Sequence, residues 1–191
     1  VASNDFLKFA FAGSSYHASL QRAIHRTGRL CAITCEERTL SDGRKVIWMA
    51  HDFKFLGGSL GTAEGEKLVL GFERGLKERL PVVVECRSGG ARMQEGTQSL
   101  MQMAKISVAV RALRSVEPAV PFISILQDPT YGGVSASYAM QSDVRIGVSK
   151  ARIGFAGPSV ILDTMYEKNQ DAYDREAPRN FQRSCYLQYR G

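Results

Sequence analysis

Two glycine pairs carry the clearest chemistry in the chain, Gly89-Gly90 and Gly132-Gly133. The first stands in Ser88-Gly89-Gly90-Ala91-Arg92-Met93-Gln94-Glu95-Gly96, after the β-branched run Val82-Val83-Val84-Glu85-Cys86. The second closes Gln127-Asp128-Pro129-Thr130-Tyr131-Gly132-Gly133, after an apolar stretch at 122–126. Each pair falls where a strand hands over to a helical pattern. Glycine lets the backbone approach a ligand closely, and amides at a helix start have no intrahelical acceptor. Such amides suit an anion or a polarised carbonyl oxygen. One Gly-Gly alone is more often a tight turn that needs glycine for its φ angle. Two copies in the same context predict two loops facing one cavity, with amides converging on one oxygen. That oxyanion hole would stabilise the charge that develops when the carbon beside a carbonyl becomes an enolate. It needs no nucleophilic side chain.

Other chemistries fail on inspection. Gly-x-Gly-x-x-Gly and the P-loop pattern do not occur. Gly133-Val134-Ser135-Ala136-Ser137 starts like a nucleophile elbow but lacks the last glycine. His17, His25 and His51 lie early and have no metal-ligand spacing, and nothing assembles a Ser–His–Asp triad. The cysteines are Cys31, Cys35, Cys86 and Cys185, without a Cys-x-x-Cys pair, so neither a zinc site nor any other metal centre is expected. Cys86 reads as a small buried hydrophobe, and reduced thiols point to the cytoplasm. The net charge of +6 comes from dispersed basic residues, which argues against nucleic acid and is compatible with phosphate on a small ligand or with no particular partner. No apolar run reaches the ~18–20 residues of a membrane span, and residues 1–13 lack the pattern of a secretory signal.

The positioning elements follow from periodicity and punctuation. A helix is expected at 18–27, ended by Gly28, and strands at 30–36 and 46–53 about a hairpin at 41–43. A first glycine loop, Gly57-Gly58-Ser59-Leu60-Gly61, precedes a helix over 62–77. After the strand at 82–86 and the first glycine pair, Met101, Ala104, Val108 and Ala112 mark a long helix. Beyond Pro118 and Pro121 come the strand at 122–126, a small-residue helix at 134–141, and strands at 144–148 and 152–155. Residues 167–179 read as an exposed or mobile insertion. With 191 residues, 44% of them hydrophobic, the expectation is one α/β domain of strands joined by crossovers. Small residues over 134–139 suggest a surface buried in an oligomer.

Several long stretches carry a resemblance. They are Phe55-Leu56-Gly57-Gly58-Ser59-Leu60-Gly61, Gly65-Glu66-Lys67, Ser88-Gly89-Gly90-Ala91-Arg92-Met93-Gln94-Glu95 and Leu100-Met101-Gln102-Met103-Ala104-Lys105. Further on are Asp128-Pro129-Thr130-Tyr131-Gly132-Gly133-Val134-Ser135-Ala136-Ser137, Ile153-Gly154-Phe155-Ala156-Gly157-Pro158 and Phe181-Gln182-Arg183-Ser184. From about residue 18 onward the chain resembles the β subunit of the carboxyltransferase of acetyl-coenzyme A carboxylase. That resemblance implies an α/β crotonase-like (ClpP/crotonase) fold, a spiral of ββα units. It implies transfer of a carboxyl group from carboxybiotin to the α carbon of an acyl-coenzyme A, in the cytoplasm or a plastid. It further implies a related α subunit and a biotin carrier protein as partners, in a homo- or hetero-oligomer. Gly89, Gly90, Gly132 and Gly133 would supply the oxyanion contacts. Arg92, Lys54 and Lys67, the charged residues in or beside the glycine loops, are the candidates for coenzyme A, with Gly57 and Gly58. A side chain at Gly133 is expected to meet Ser137 and Tyr138.

The chain departs from this family in three places. No four-cysteine zinc ribbon precedes the domain, 169–178 reads as an insertion, and the C-terminal helix of the family is missing. An acyl-coenzyme A decarboxylase or acyltransferase of the same fold without biotin would share the oxyanion chemistry. A non-catalytic partner subunit is the other alternative, and the intact glycines speak against it.

Overall fold

The computed structural model describes residues 1–11, 13–177 and 180–189. Pro178 and Arg179 of the expected insertion, and the expected C-terminal residues Arg190 and Gly191, lie outside the described residues. A two-residue hairpin, β1 (Ala10–Phe11) with β2 (Ser14–Ser15), leads into α1 (Tyr16–Thr27). The Ser15 hydroxyl accepts from the amide of Ala18 at 3.1 Å, and Gly28 ends α1 at φ 66°. Both are the expected solutions to unpaired helix ends.

β3 (Ile33–Thr39) and β4 (Lys45–His51) form the expected hairpin. A 3-10 turn, Leu56–Gly58, and α2 (Thr62–Glu78) follow. Then come β5 (Val82–Ser88), α3 (Thr97–Arg114), β6 (Phe122–Thr130), α4 (Gly132–Ser135) and β7 (Val144–Gly147). Three short helices end the chain: α5 (Pro158–Met165), α6 (Gln170–Glu176) and α7 (Ser184–Gln188). The five-stranded sheet has the order β3-β4-β5-β6-β7, antiparallel at its first pair and parallel thereafter. Val82, Val84, Cys86, Phe122 and Leu126 face the core with Ile47, Met49, Leu68 and Phe72. Val82, Val84 and Cys86 alternate along β5, so one face of the strand is in the core. Glycines on α2 let it sit close: a Cβ at Gly71 would lie 2.2 Å from Met49 Sδ, and one at Gly65 the same distance from Gln102 Oε1.

Several expectations change. The long helix exists, but it starts at Thr97, after a 3-10 turn at Met93–Glu95, so the first glycine pair lies in a loop and does not begin a helix. Met101 and Val108, two of the residues that mark this helix, lie on its outward side at 61% and 70% exposed, while Gln102, Ile106, Val110 and Leu113 are buried. The helix expected at 134–141 breaks at Ser137, whose hydroxyl donates to the Gly133 carbonyl, leaving α4 and a 3-10 turn at Tyr138–Met140. Its small residues pack within the chain, since Val134, Ser135, Ser137, Tyr138 and Ala139 are all buried. At 152–155 there is no strand, only bridges pairing Thr130 with Ile153 and Arg152 with Arg183.

Candidate functional site

The two glycine pairs end neighbouring parallel strands, β5 and β6, and their backbones touch. A Cβ built on Gly132 would lie 2.8 Å from Gly90 Cα, and one on Gly90 would lie 3.2 Å from Gly132 Cα. Gly90 has φ 121° and Gly132 φ 59°, the left-handed region where a side chain is strained. Both glycines are therefore required by the turn and by the close approach together.

Hydrogen bonding then separates the amides. The Gly89 amide donates to the Gly57 carbonyl at 3.0 Å, Gly90 to the Ser88 hydroxyl at 3.0 Å, and Gly132 to the Phe155 carbonyl at 2.8 Å. These three hold the loops together. The Gly133 amide has no acceptor among the described residues, and neither has the amide of Ala91, the residue after the first pair. Ala91 is bracketed by its neighbours: Leu60 N donates to the Gly90 carbonyl and Arg92 N to the Leu60 carbonyl, at 2.8 and 2.9 Å. That leaves the Ala91 N–H free of the ladder. A Cβ at Gly133 would stand 3.5 Å from Ala91 N, so the two free amides lie on adjoining stretches of backbone. Sequence reading named Gly133 and missed Ala91.

The basic residues divide as well. Arg92 is 1% exposed, and its guanidinium is enclosed by Glu64 Oε1 at 2.8 Å, Glu95 Oε1 at 3.1 Å, the Ser59 hydroxyl and carbonyl, Ser3 Oγ and Tyr16 Oη. Burial alone would lower its pKa, but the facing Glu64, Tyr16 and Glu95 carry it above the ordinary arginine value. As a contact for coenzyme A phosphate Arg92 is thus corrected: every face of its fork is already paired inside the protein. The cluster also holds the surrounding loop, because Glu95 accepts from the Thr62 amide and Glu64 from the Gly61 and Ala32 amides. Lys54 is exposed beside the first glycine loop, and Lys67 is half-buried on α2 with Nζ 3.8 Å from Cys31 Sγ. Gly57 and Gly58 act through their carbonyls, Gly57 toward Gly89 and Gly58 toward His51. A Cβ at Gly58 would lie 2.2 Å from the Arg87 carbonyl oxygen.

His51, at the end of β4, is 8% exposed. Burial holds its pKa down to about 4, against the smaller opposing effects of its bond to the Gly58 carbonyl and of the Glu64 charge. The unfolded chain takes up this proton near the ordinary value of 6.5 and the native protein only near 4. Stability is therefore expected to fall as pH drops through that window, by about 3 kcal/mol in all. Urea midpoints compared across the window check it: His51→Phe should flatten the slope, and an unchanged slope would refute the assignment.

Two open cavities, of about 490 and 600 Å³, lie away from the paired glycines. The first is lined by Arg152, Pro158, Tyr173 and Gln182 among others, and the second lies between α7 and the end of β6.

The sheet order, the ladder of single bridges beside it and the facing glycine loops define the crotonase-like class of α/β proteins. Within it, the chain belongs to the carboxyl transferase domain family, which it matches over residues 39–181. Over 187 residues it is 46% identical to the acetyl-coenzyme A carboxylase carboxyl transferase subunit beta of Citrifermentans bemidjiense, an alignment covering 98% of this chain and 62% of that protein. A structure of transcarboxylase 12S with hydrolysed methylmalonyl-coenzyme A bound aligns with a TM-score of 0.64 and 35% identity, over 71% of this chain and 26% of the other. A Pseudomonas malonate decarboxylase hetero-tetramer in complex with malonate aligns with a TM-score of 0.64 and 26% identity, over 77% of this chain and 53% of the other. The chain therefore spans about three-fifths of the length of the curated β subunits it matches. No helix among the described residues is long and apolar enough to cross a membrane.

Proposed function

We propose that this chain is the acyl-coenzyme A half of a biotin-dependent carboxyltransferase. The observation that carries the reading is the pair of unengaged amides, Ala91 and Gly133, on two adjoining loops. A thioester carbonyl oxygen accepts from both. As the α carbon loses its proton, charge moves onto that oxygen and both hydrogen bonds strengthen. Carboxybiotin, when bound, would supply the carboxyl group to the enolate carbon by breaking its N–carboxyl bond, and the freed ureido nitrogen would take the proton the α carbon gives up. Gly89, Gly90 and Gly132 shape the site without touching the oxygen, and Lys54 and Lys67 remain the candidates for the coenzyme A phosphates.

A related carboxyltransferase subunit completes the site and a carrier protein brings the biotin. The outward face of α3, with Leu100, Met101 and Val108 all more than half exposed, supports a partner surface. The four free cysteines fit a reducing compartment such as the cytoplasm. The likeness to the malonate decarboxylase favours one second reading, loss of the carboxyl group as carbon dioxide without biotin.

The test runs the reaction in reverse, with malonyl-coenzyme A and free biotin, for the chain alone and with an α-type subunit added. Acetyl-coenzyme A formed only when biotin is present is the expected result. Formation without biotin would favour the decarboxylase, and no formation under either condition would contradict the proposal.

A further inference from the structure

One buried pair of polar side chains joins the two halves of this site. The His51 ring has Nδ1 2.9 Å from the Gly58 carbonyl oxygen and Nε2 2.5 Å from the Tyr138 hydroxyl. The carbonyl can only accept, so Nδ1 carries the proton and Nε2 accepts from Tyr138. The rings lie 12° from parallel, and Tyr138 is fully buried. The two residues are 87 positions apart and belong to different strand–loop units.

Each end of the pair reaches a loop segment that carries one of the amides. Gly58 belongs to the loop that receives the Gly89 amide at Gly57 and, two residues on, fixes Gly90 and Arg92 through Leu60. That loop sets the direction of the Ala91 N–H. Tyr138 directly follows Ser137, whose hydroxyl holds the Gly133 carbonyl. Two apolar side chains would fill this volume without burying polar atoms, but contact alone fixes neither distance nor direction as a hydrogen bond does. An oxyanion hole loses its effect when its donors are misdirected, because its value lies in donors already aimed where charge develops.

We propose that His51 and Tyr138 are positioning residues that set the spacing of the Ala91 and Gly133 amides through Gly58 and Ser137. The inference rests on reading those amides as the carbonyl donors, so its test reads the carbonyl itself. The probe is acetyl-coenzyme A labelled with carbon-13 at the carbonyl, bound in turn to wild type, Tyr138→Phe, His51→Phe and Gly133→Val. Tyr138→Phe removes a single oxygen and serves if His51→Phe fails to fold, and an amide correlation spectrum confirms the fold of each. Wild type is expected to move the bound carbonyl signal downfield of free ligand. Tyr138→Phe and His51→Phe should lose most of that displacement while still binding the ligand, since coenzyme A contacts are untouched. Full displacement in folded Tyr138→Phe, with loss in Gly133→Val, would overturn the positioning role and leave the site reading standing. No displacement in wild type would overturn the donor pair, and the positioning proposal with it.

Discussion

Gly133→Val should lower turnover by at least ~10²-fold, the loss typical of a missing or blocked oxyanion donor, while thermal stability and coenzyme A affinity stay near those of the wild type. Gly133 is a clean probe because its φ is ordinary, unlike that of Gly132. A Cβ there meets Met103 Sδ at 3.2 Å, a flexible side chain that can yield, and then Ala91 Cβ and Ala91 N at 3.4 and 3.5 Å. These neighbours differ from the Ser137 and Tyr138 that the sequence suggests. The difference sharpens the expectation, for the valine methyls would stand over the Ala91 amide, where the carbonyl oxygen has to sit. The interaction strengthens only as charge develops, so kcat and kcat/KM fall together. Steady-state kinetics with a melting curve check this. A folded variant with near wild-type turnover would reduce Gly133 to packing. Gly132→Val would not be informative, because its Cβ lies 2.8 Å from Gly90 Cα and both loops would shift.

Arg92→Ala carries the largest expected effect on stability. It removes the cation that pairs with Glu64 and Glu95, each no more than 1% exposed at the side chain. Breaking a buried ion pair from one side typically costs about 3–5 kcal/mol, because the remaining charge has neither partner nor water. For a chain of this size that is a fall in melting temperature on the order of 10 °C. Arg92→Lys keeps the charge but not the planar fork that reaches Ser59, Glu64 and Glu95 together, so an intermediate loss is expected. Calorimetry of both variants gives the check. Lost coenzyme A affinity at unchanged stability would restore Arg92 to the ligand.

Much of this was visible in the residues, for local reasons. Ser15 and Gly28 bound α1 because caps are short-range chemistry, and the valine run of β5 marks a strand with one face in the core. The motifs around the glycine pairs located the loops that meet. What stayed hidden depends on distant partners. An arginine beside a glycine-rich loop looks the same in sequence whether it binds phosphate or is enclosed by Tyr16, Glu64 and Glu95. Nothing in spacing links His51 to Tyr138. On α3 two stripes have helical spacing, and the polar Gln102 disguises the buried one while Met101 and Val108 advertise the exposed one. Which amides are free could be read only after the hydrogen bonds of Gly89, Gly90 and Gly132 were assigned, and that exposes Ala91 as a donor although it is no glycine.

The most direct test of the central claim follows the backbone amides themselves as acetyl-coenzyme A is titrated into nitrogen-15-labelled protein. The account predicts saturable downfield movement of the Ala91 and Gly133 amide protons, with those of Gly89, Gly90 and Gly132 held near their starting positions. Saturation accompanied by movement of Gly89, Gly90 or Gly132 while Ala91 and Gly133 stay fixed would contradict it.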